Sequence, residues 1–185
     1  MEHSTIIGGF GGQGILFAGQ TLAQAALLEG RDVSWMPSYG PEMRGGTASC
    51  TVVIADHPIG SPIVDVADSV IALNPPSMAK YERLLAPGGL LVVNGSLIEA
   101  EPDRDDVEVL TLACTALARA AGHDRLVSVV ALGGLLARRP IVRPESVRQA
   151  LAELVGGHHV ELLDADLAAF TAGYEQASVV GVVER

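Results

Sequence analysis

A chain of 185 residues with a formal net charge of −10 is long enough for one α/β domain with its own core, and its acidity excludes a phosphate-binding nucleic-acid surface. Hydrophobic residues make up 49% but aromatic ones only 4%, so the core is built from Ala, Val and Leu, which suits helices packed closely on a sheet. Cys50 and Cys114 lie far apart with no C-x-x-C spacing, which excludes a zinc knuckle or an iron–sulfur motif and leaves two readings, a lone disulfide or, as expected of a cytosolic protein, buried thiols.

Residues 5–7 (T-I-I) predict a short strand that flows into five glycines between positions 8 and 14. Gly9, Gly11 and Gly14 satisfy G-x-G-x-x-G between a strand and a helix, the pattern of a dinucleotide or anion cradle. The helix is marked by Ile15, Ala18, Gly19, Leu22, Ala23, Ala26 and Leu27 on one stripe, with Gly30 as its stop. The second strand, 33–36, runs into Pro37-Ser38-Tyr39 without an acid. A dinucleotide site wants Asp or Glu at that end to hold the ribose, and Asp32 stands at the other, which weighs against NAD.

The loop 37–46 (P-S-Y-G-P-E-M-R-G-G) holds two prolines and three glycines, together with Tyr39, Glu42 and Arg44. Two readings stand: a tight crossover with Arg44 paired to Glu42 or to a helix end, or an anion-binding or partner-docking loop beside the first glycine turn. Residues 47–55 predict a strand, antiparallel to the second or linked to it by the long loop. A strand at 67–73, a helix opened by Pro76 and running to about residue 85, a break at 87–89 and an apolar strand at 90–93 follow. This alternation predicts a three-layer, Rossmann-like open sheet, mostly parallel, with helices on both faces.

Residues 99–106 (E-A-E-P-D-R-D-D) read as a solvated acidic loop. A last strand at 107–110 leads to Thr111 as the cap of a helix over 112–121, stopped by Gly122. Residues 126–136 are apolar nearly all round, predicting a buried helix with Gly133 and Gly134 in close contact on one side. Pro144 opens an amphipathic helix carrying Val147, Ala150, Leu151 and Leu154 and ended by Gly156 or Gly157; a final helix covers 164 to about 177. His158 and His159 are adjacent and diverge on any regular element, which argues against a metal pair, and the tail at 179–183 reads as free or sticky. No repeat or linker divides 1–185, so a single domain is expected. Residues 1–4 do not form a signal peptide and no apolar run reaches membrane length uninterrupted, so the expectation is a cytoplasmic protein with neither membrane nor nucleic acid as partner. No nucleophile elbow, P-loop lysine or H-E-x-x-H is present, and His57 and His123 read as turn residues. A chain without a catalytic constellation reads as a binding module or a subunit.

The stretches 9–19 (G-F-G-G-Q-G-I-L-F-A-G) and 37–46, with I-G-S-P-I-V at 59–64, A-L-G-G-L-L at 131–136 and D-L-A-A-F-T-A-G-Y at 166–174, resemble the gamma subunit of pyruvate/2-oxoacid:ferredoxin oxidoreductases across nearly the whole chain. Asp166 stands where that family usually carries Asn. The resemblance implies a complex that oxidatively decarboxylates a 2-oxoacid, makes an acyl-CoA and passes electrons through [4Fe-4S] clusters to ferredoxin. It implies thiamine diphosphate and Mg2+ in alpha and beta partners, and a delta part that is a separate chain or absent. Within it, Gly9, Gly11, Gly12, Gln13, Gly14, Tyr39, Glu42 and Arg44 are the residues assigned to coenzyme A, another anion or a subunit contact. Two other classes stay open: a stand-alone nucleotide- or flavin-binding oxidoreductase, and a scaffolding subunit. The apolar tail also leaves self-association open for the isolated chain.

Overall fold

The structure, a computed structural model, describes residues 1–39, 47–156 and 160–179. In chain order its elements are β1 (Glu2–Phe10), α1 (Ile15–Leu28), β2 (Asp32–Tyr39), β3 (Thr47–Ala55), β4 (Ala67–Ala72), α2 (Pro75–Tyr81), β5 (Leu85–Asn94), β6 (Glu108–Leu112), α3 (Cys114–Ala121), α4 (Val127–Arg138), α5 (Pro144–Val155) and α6 (Val160–Val179). The strands form one sheet in the order β2-β3-β1-β4-β5-β6. β1, β4, β5 and β6 are parallel, whereas β3 runs antiparallel to both β1 and β2. The antiparallel option for the 47–55 strand is the one adopted: β2 and β3 pair in register from Asp32↔Ala55 to Tyr39↔Ala48.

Period-two alternation splits the strand residues between two cores. Ile7, Val52, Ile54, Ile71, Leu73, Leu90, Val92 and Leu110 face α1 and α4, with α5 packed on α1 beyond. Ile6, Val70, Ala72, Leu91 and Val93 face the other way, against Met78 and Tyr81 of α2. α1 buries the predicted small-residue stripe, and a methyl group added at Gly19 would strike Cys50 Sγ and the Trp35 indole. Leu27, the last of that stripe, instead turns outward, 54% exposed. Gly30 stops the helix with φ +75°, its N–H donating to the Leu27 carbonyl at 2.9 Å.

α4 is buried along almost its whole length because it lies between the sheet and α6. Leu132 and Leu135 are fully buried there, and truncating either to Ala carries a penalty of about 2–5 kcal/mol. Its two glycines serve opposite sides rather than one: a methyl at Gly133 would meet the Phe170 carbonyl of α6, and one at Gly134 would meet Leu112 of β6. Gly173 of α6 answers in kind, with the Val130 carbonyl where its methyl would be.

Four boundaries differ from the sequence reading, each for a tertiary reason. Thr111 pairs with Val93 inside β6, so α3 starts at Cys114, and its cap, Ala113, makes no side-chain bond. α2 ends at Tyr81 and tightens into a 3-10 turn at Glu82–Leu84, since Leu85 already pairs with Ala67. The 87–89 break becomes a bulge within β5, where the register passes from Ala67↔Leu85 to Ser69↔Leu90 and Gly88 takes φ +75°. α6 begins at Val160, before Asp164. The acidic loop is also less free than its composition suggests: Arg104 grips Asp106 and donates to the Leu85 carbonyl at 3.1 Å, and the buried Glu82 side chain accepts the Asp103 N–H at 3.2 Å.

Candidate functional site

β1 and β4 are parallel neighbours, yet the chain leaves β1 towards α1 on one face and β4 towards α2 on the other. Such a reversal opens a crevice beyond the carboxyl ends of the strands, where ligands of open α/β sheets bind. The glycine turn lies at this crevice. Gly14 enters α1 with φ +76° and caps it without a side chain; the first backbone bond into the helix among the described residues is Ala18 N–H to the Gly14 carbonyl, 3.0 Å. The N–H groups of Ile15, Leu16 and Phe17 therefore stay available at the positive end of the helix dipole.

The glycines of the motif do different jobs. Gly9 sits in β1, where a methyl would lie 2.5 Å from Gln13 Oε1 and 3.0 Å from Leu73 Cβ. At Gly14 a methyl would lie 2.5 Å from the Arg125 carbonyl and 2.7 Å from Ser128 Oγ, at the start of α4. Gly11 and Gly12 form the exposed tip; Gly12 has φ +96° and open space where a side chain would project. Gln13 closes the turn, its Oε1 accepting the Phe10 N–H at 2.7 Å and its Nε2 donating to the Leu73 carbonyl at 3.4 Å.

The ends of the second loop come to the same place. Phe10 pairs with Thr47 and Ala48 with Tyr39, so Tyr39 and Thr47 end their strands beside the glycine turn. Glu42 and Arg44 lie outside the described residues, as do the side chain of Tyr39 and the pair His158 and His159.

A row of side chains that the sequence reading did not single out completes the crevice. Asn74, fully buried, caps α2 by accepting the Ser77 N–H at 2.8 Å. Asn94, also fully buried at the end of β5, donates to the Leu73 carbonyl at 3.3 Å and to Thr115 Oγ1 at 3.1 Å. Both follow directly on an apolar strand, and that placement was the available signal. Nearby, Tyr81 donates to Ser49 Oγ at 2.8 Å with its ring over Gly8, where a methyl would lie 2.8 Å from the ring.

Elsewhere the titratable groups serve structure. Cys50 and Cys114 are free and buried, and burial pushes both thiols up to about 12. A protonated, enclosed thiol suits neither nucleophilic attack nor cluster ligation. Among the described residues no three His, Cys, Asp or Glu side chains converge as metal ligands, so this donor set does not fit thiamine diphosphate with Mg2+ or an iron–sulfur cluster. His123 accepts the Arg125 N–H at 3.0 Å, and His57 Nδ1 lies 3.3 Å from the Pro58 carbonyl, both in turns. No helix among the described residues is long and apolar enough to cross a membrane.

Residues 4–176 match the family model described as pyruvate ferredoxin/flavodoxin oxidoreductase. Ketoisovalerate oxidoreductase subunit VorA of Methanothermobacter thermautotrophicus is 40% identical over 172 residues, covering 92% of this chain and 35% of that one. The chain thus spans about a third of the length of the first curated relatives it matches. 2-Oxoglutarate synthase subunit KorC of Methanocaldococcus jannaschii is 34% identical over 180 residues, covering 96% of this chain and 95% of that one. The solved gamma subunit of the keto/oxoacid ferredoxin oxidoreductase of Geobacter sulfurreducens superposes with a TM-score of 0.84 at 29% identity, over 96% of this chain and 97% of that one.

Proposed function

The chain belongs to the pyruvate ferredoxin/flavodoxin oxidoreductase family, and we propose from that premise that it is the gamma-type subunit of a cytoplasmic 2-oxoacid:ferredoxin oxidoreductase. In this reading alpha and beta partners hold thiamine diphosphate, Mg2+ and the [4Fe-4S] clusters, and residues 1–185 act as one domain packed on them. The complex decarboxylates a 2-oxoacid oxidatively and transfers the acyl group to coenzyme A, with electrons leaving to ferredoxin. The contribution of this chain is to hold part of the coenzyme A.

One observation carries that last step: a glycine turn at the β1–β4 crevice presents the unspent N–H groups of α1 beside an exposed, side-chain-free tip at Gly12. Such a turn accepts an anion through backbone donors alone, which lets a chain of net charge −10 hold a phosphate locally. Tyr39, Glu42 and Arg44 belong to the same proposal because Tyr39 and Thr47, the described residues on either side of 40–46, stand at strand ends near Phe10 and the turn. A stand-alone dinucleotide enzyme is less well supported, because Asp32 pairs with Ala55 at the far end of β2 from the turn.

The test compares Gly12→Asp with Gly12→Asn in the assembled complex. The two variants share shape and backbone strain and differ in one charge. A carboxylate about 6 Å from a phosphate is worth about 3 kcal/mol at an effective dielectric constant of 20, before screening by salt. Gly12→Asp is expected to raise the KM for coenzyme A at least tenfold over Gly12→Asn and to leave the KM for the 2-oxoacid in place. Equal values for the two variants would remove the turn from the coenzyme A site.

A further inference from the structure

Two side chains of the crevice converge on one acceptor. Leu73, just beyond β4, donates its N–H to the Gly8 carbonyl at 2.9 Å, and its own carbonyl oxygen receives Gln13 Nε2 at 3.4 Å and Asn94 Nδ2 at 3.3 Å. Each carboxamide is also engaged at its other end. Gln13 Oε1 accepts the Phe10 N–H at 2.7 Å, while Asn94 Oδ1 accepts the Ser96 N–H at 3.3 Å and the Thr115 N–H at 3.4 Å. The backbone N–H groups can only donate and the Leu73 oxygen can only accept, so both positions call for a planar group with one donor and one acceptor. A carboxylate of the same size keeps the N–H contacts and sets a negative oxygen against a carbonyl.

We propose that Gln13 and Asn94, meeting on the Leu73 carbonyl oxygen, are positioning residues that fix the glycine turn against the ends of β4, β5 and the start of α3, and so set the affinity of the crevice for coenzyme A. The inference rests on the coenzyme A reading above. It changes the role of Gln13 from contact residue to brace: both ends of its amide are spent within the protein, and its reach across the switch point holds the exposed Gly11–Gly12 tip in register with the sheet. Asn94 extends the brace to α3 through Thr115.

The experiment uses the assembled complex carrying Gln13→Met, Asn94→Ala or both, with kcat and KM measured for coenzyme A. A carboxylate at either position would also repel the phosphate, so these uncharged substitutions isolate the bridge; Gln13→Met keeps the length and makes neither bond. The expected result is a KM for coenzyme A raised at least fivefold in each single variant, by more than kcat falls. In the double variant the rise should be smaller than the product of the two, because both side chains share one acceptor. If Gln13→Met does not assemble, Gln13→Glu, which keeps closure of the turn on Phe10, takes its place, and its rise must exceed that of Gly12→Asp over Gly12→Asn, the effect of charge alone. A KM within twofold of the parent in the single variants, or a fully multiplicative double variant, overturns the brace. Gly12→Asp separates the two ideas: a raised KM there beside unmoved Gln13 and Asn94 variants defeats the brace alone. An unmoved KM in all of them defeats the coenzyme A reading and the brace with it.

Discussion

Asp166 on α6 is 6% exposed and makes no hydrogen bond or ion pair with the other described residues, so desolvation alone raises its carboxyl from 3.8 to about 6. Below pH 4 the group is protonated in both the folded and unfolded chain and contributes nothing. Between pH 4 and pH 6 the unfolded chain gives up the proton while the folded chain keeps it, so stability falls as pH rises; above pH 6 the loss is complete. A carboxyl moved from 3.8 to about 6 corresponds to about 3 kcal/mol, and for a chain of this size to roughly 6–12 °C in Tm. Asp166→Asn keeps the shape of the side chain and removes the charge. Urea unfolding at pH 8 should show the variant more stable by up to about 3 kcal/mol, with the difference vanishing near pH 4. A gain of equal size at both pH values, or none at pH 8, would refute the argument that a buried charge is the cause.

Two further outcomes follow from the packing. Gly173→Ala or Gly133→Ala should destabilise the chain by about 3 kcal/mol, since the added methyl meets backbone carbonyls that cannot swing aside; Gly60→Ala, with open space around it, should be neutral by the same thermal melt. Equal melting of Gly173→Ala and Gly60→Ala would contradict the close α4–α6 approach. Cys50 and Cys114, held protonated to about 12, should resist a thiol reagent at pH 8 in the folded chain and react in urea; rapid labelling without urea would mean the thiols are reached from solvent.

Much of this architecture is legible locally because strand and helix differ in period. The apolar stripe after Gly14, the all-apolar run of α4 and the Asn-Pro-Pro opening of α2 state their structures within a few residues. What stays hidden is set by pairing between distant segments. Thr111 has the chemistry of a cap, but β5 claims it for the ladder. Gly133 and Gly134 advertise close contact, yet nothing nearby in the chain says that one faces a helix and the other a sheet. The glycine turn was recognisable by its motif, whereas the brace behind it needs Gln13, Leu73 and Asn94, whose meeting depends on the order of β1, β4 and β5 in the sheet.

The missing side chains at the α4–α6 seam have a mechanical consequence. Where two helices are kept apart by Leu or Phe, rotamer changes absorb small displacements, as a gasket does. At Gly133 and Gly173 there is no gasket: peptide planes of α4 and α6 bear directly on one another, and Gly134 lets α4 bear on Leu112 at the end of β6. A load applied by a neighbouring protein to the outer surface of α6 therefore reaches the carboxyl ends of the strands almost undamped, so that sheet and helices shift as a laminate. A binding crevice at those strand ends is then stiff towards its ligand and responsive to whatever grips the outer helix.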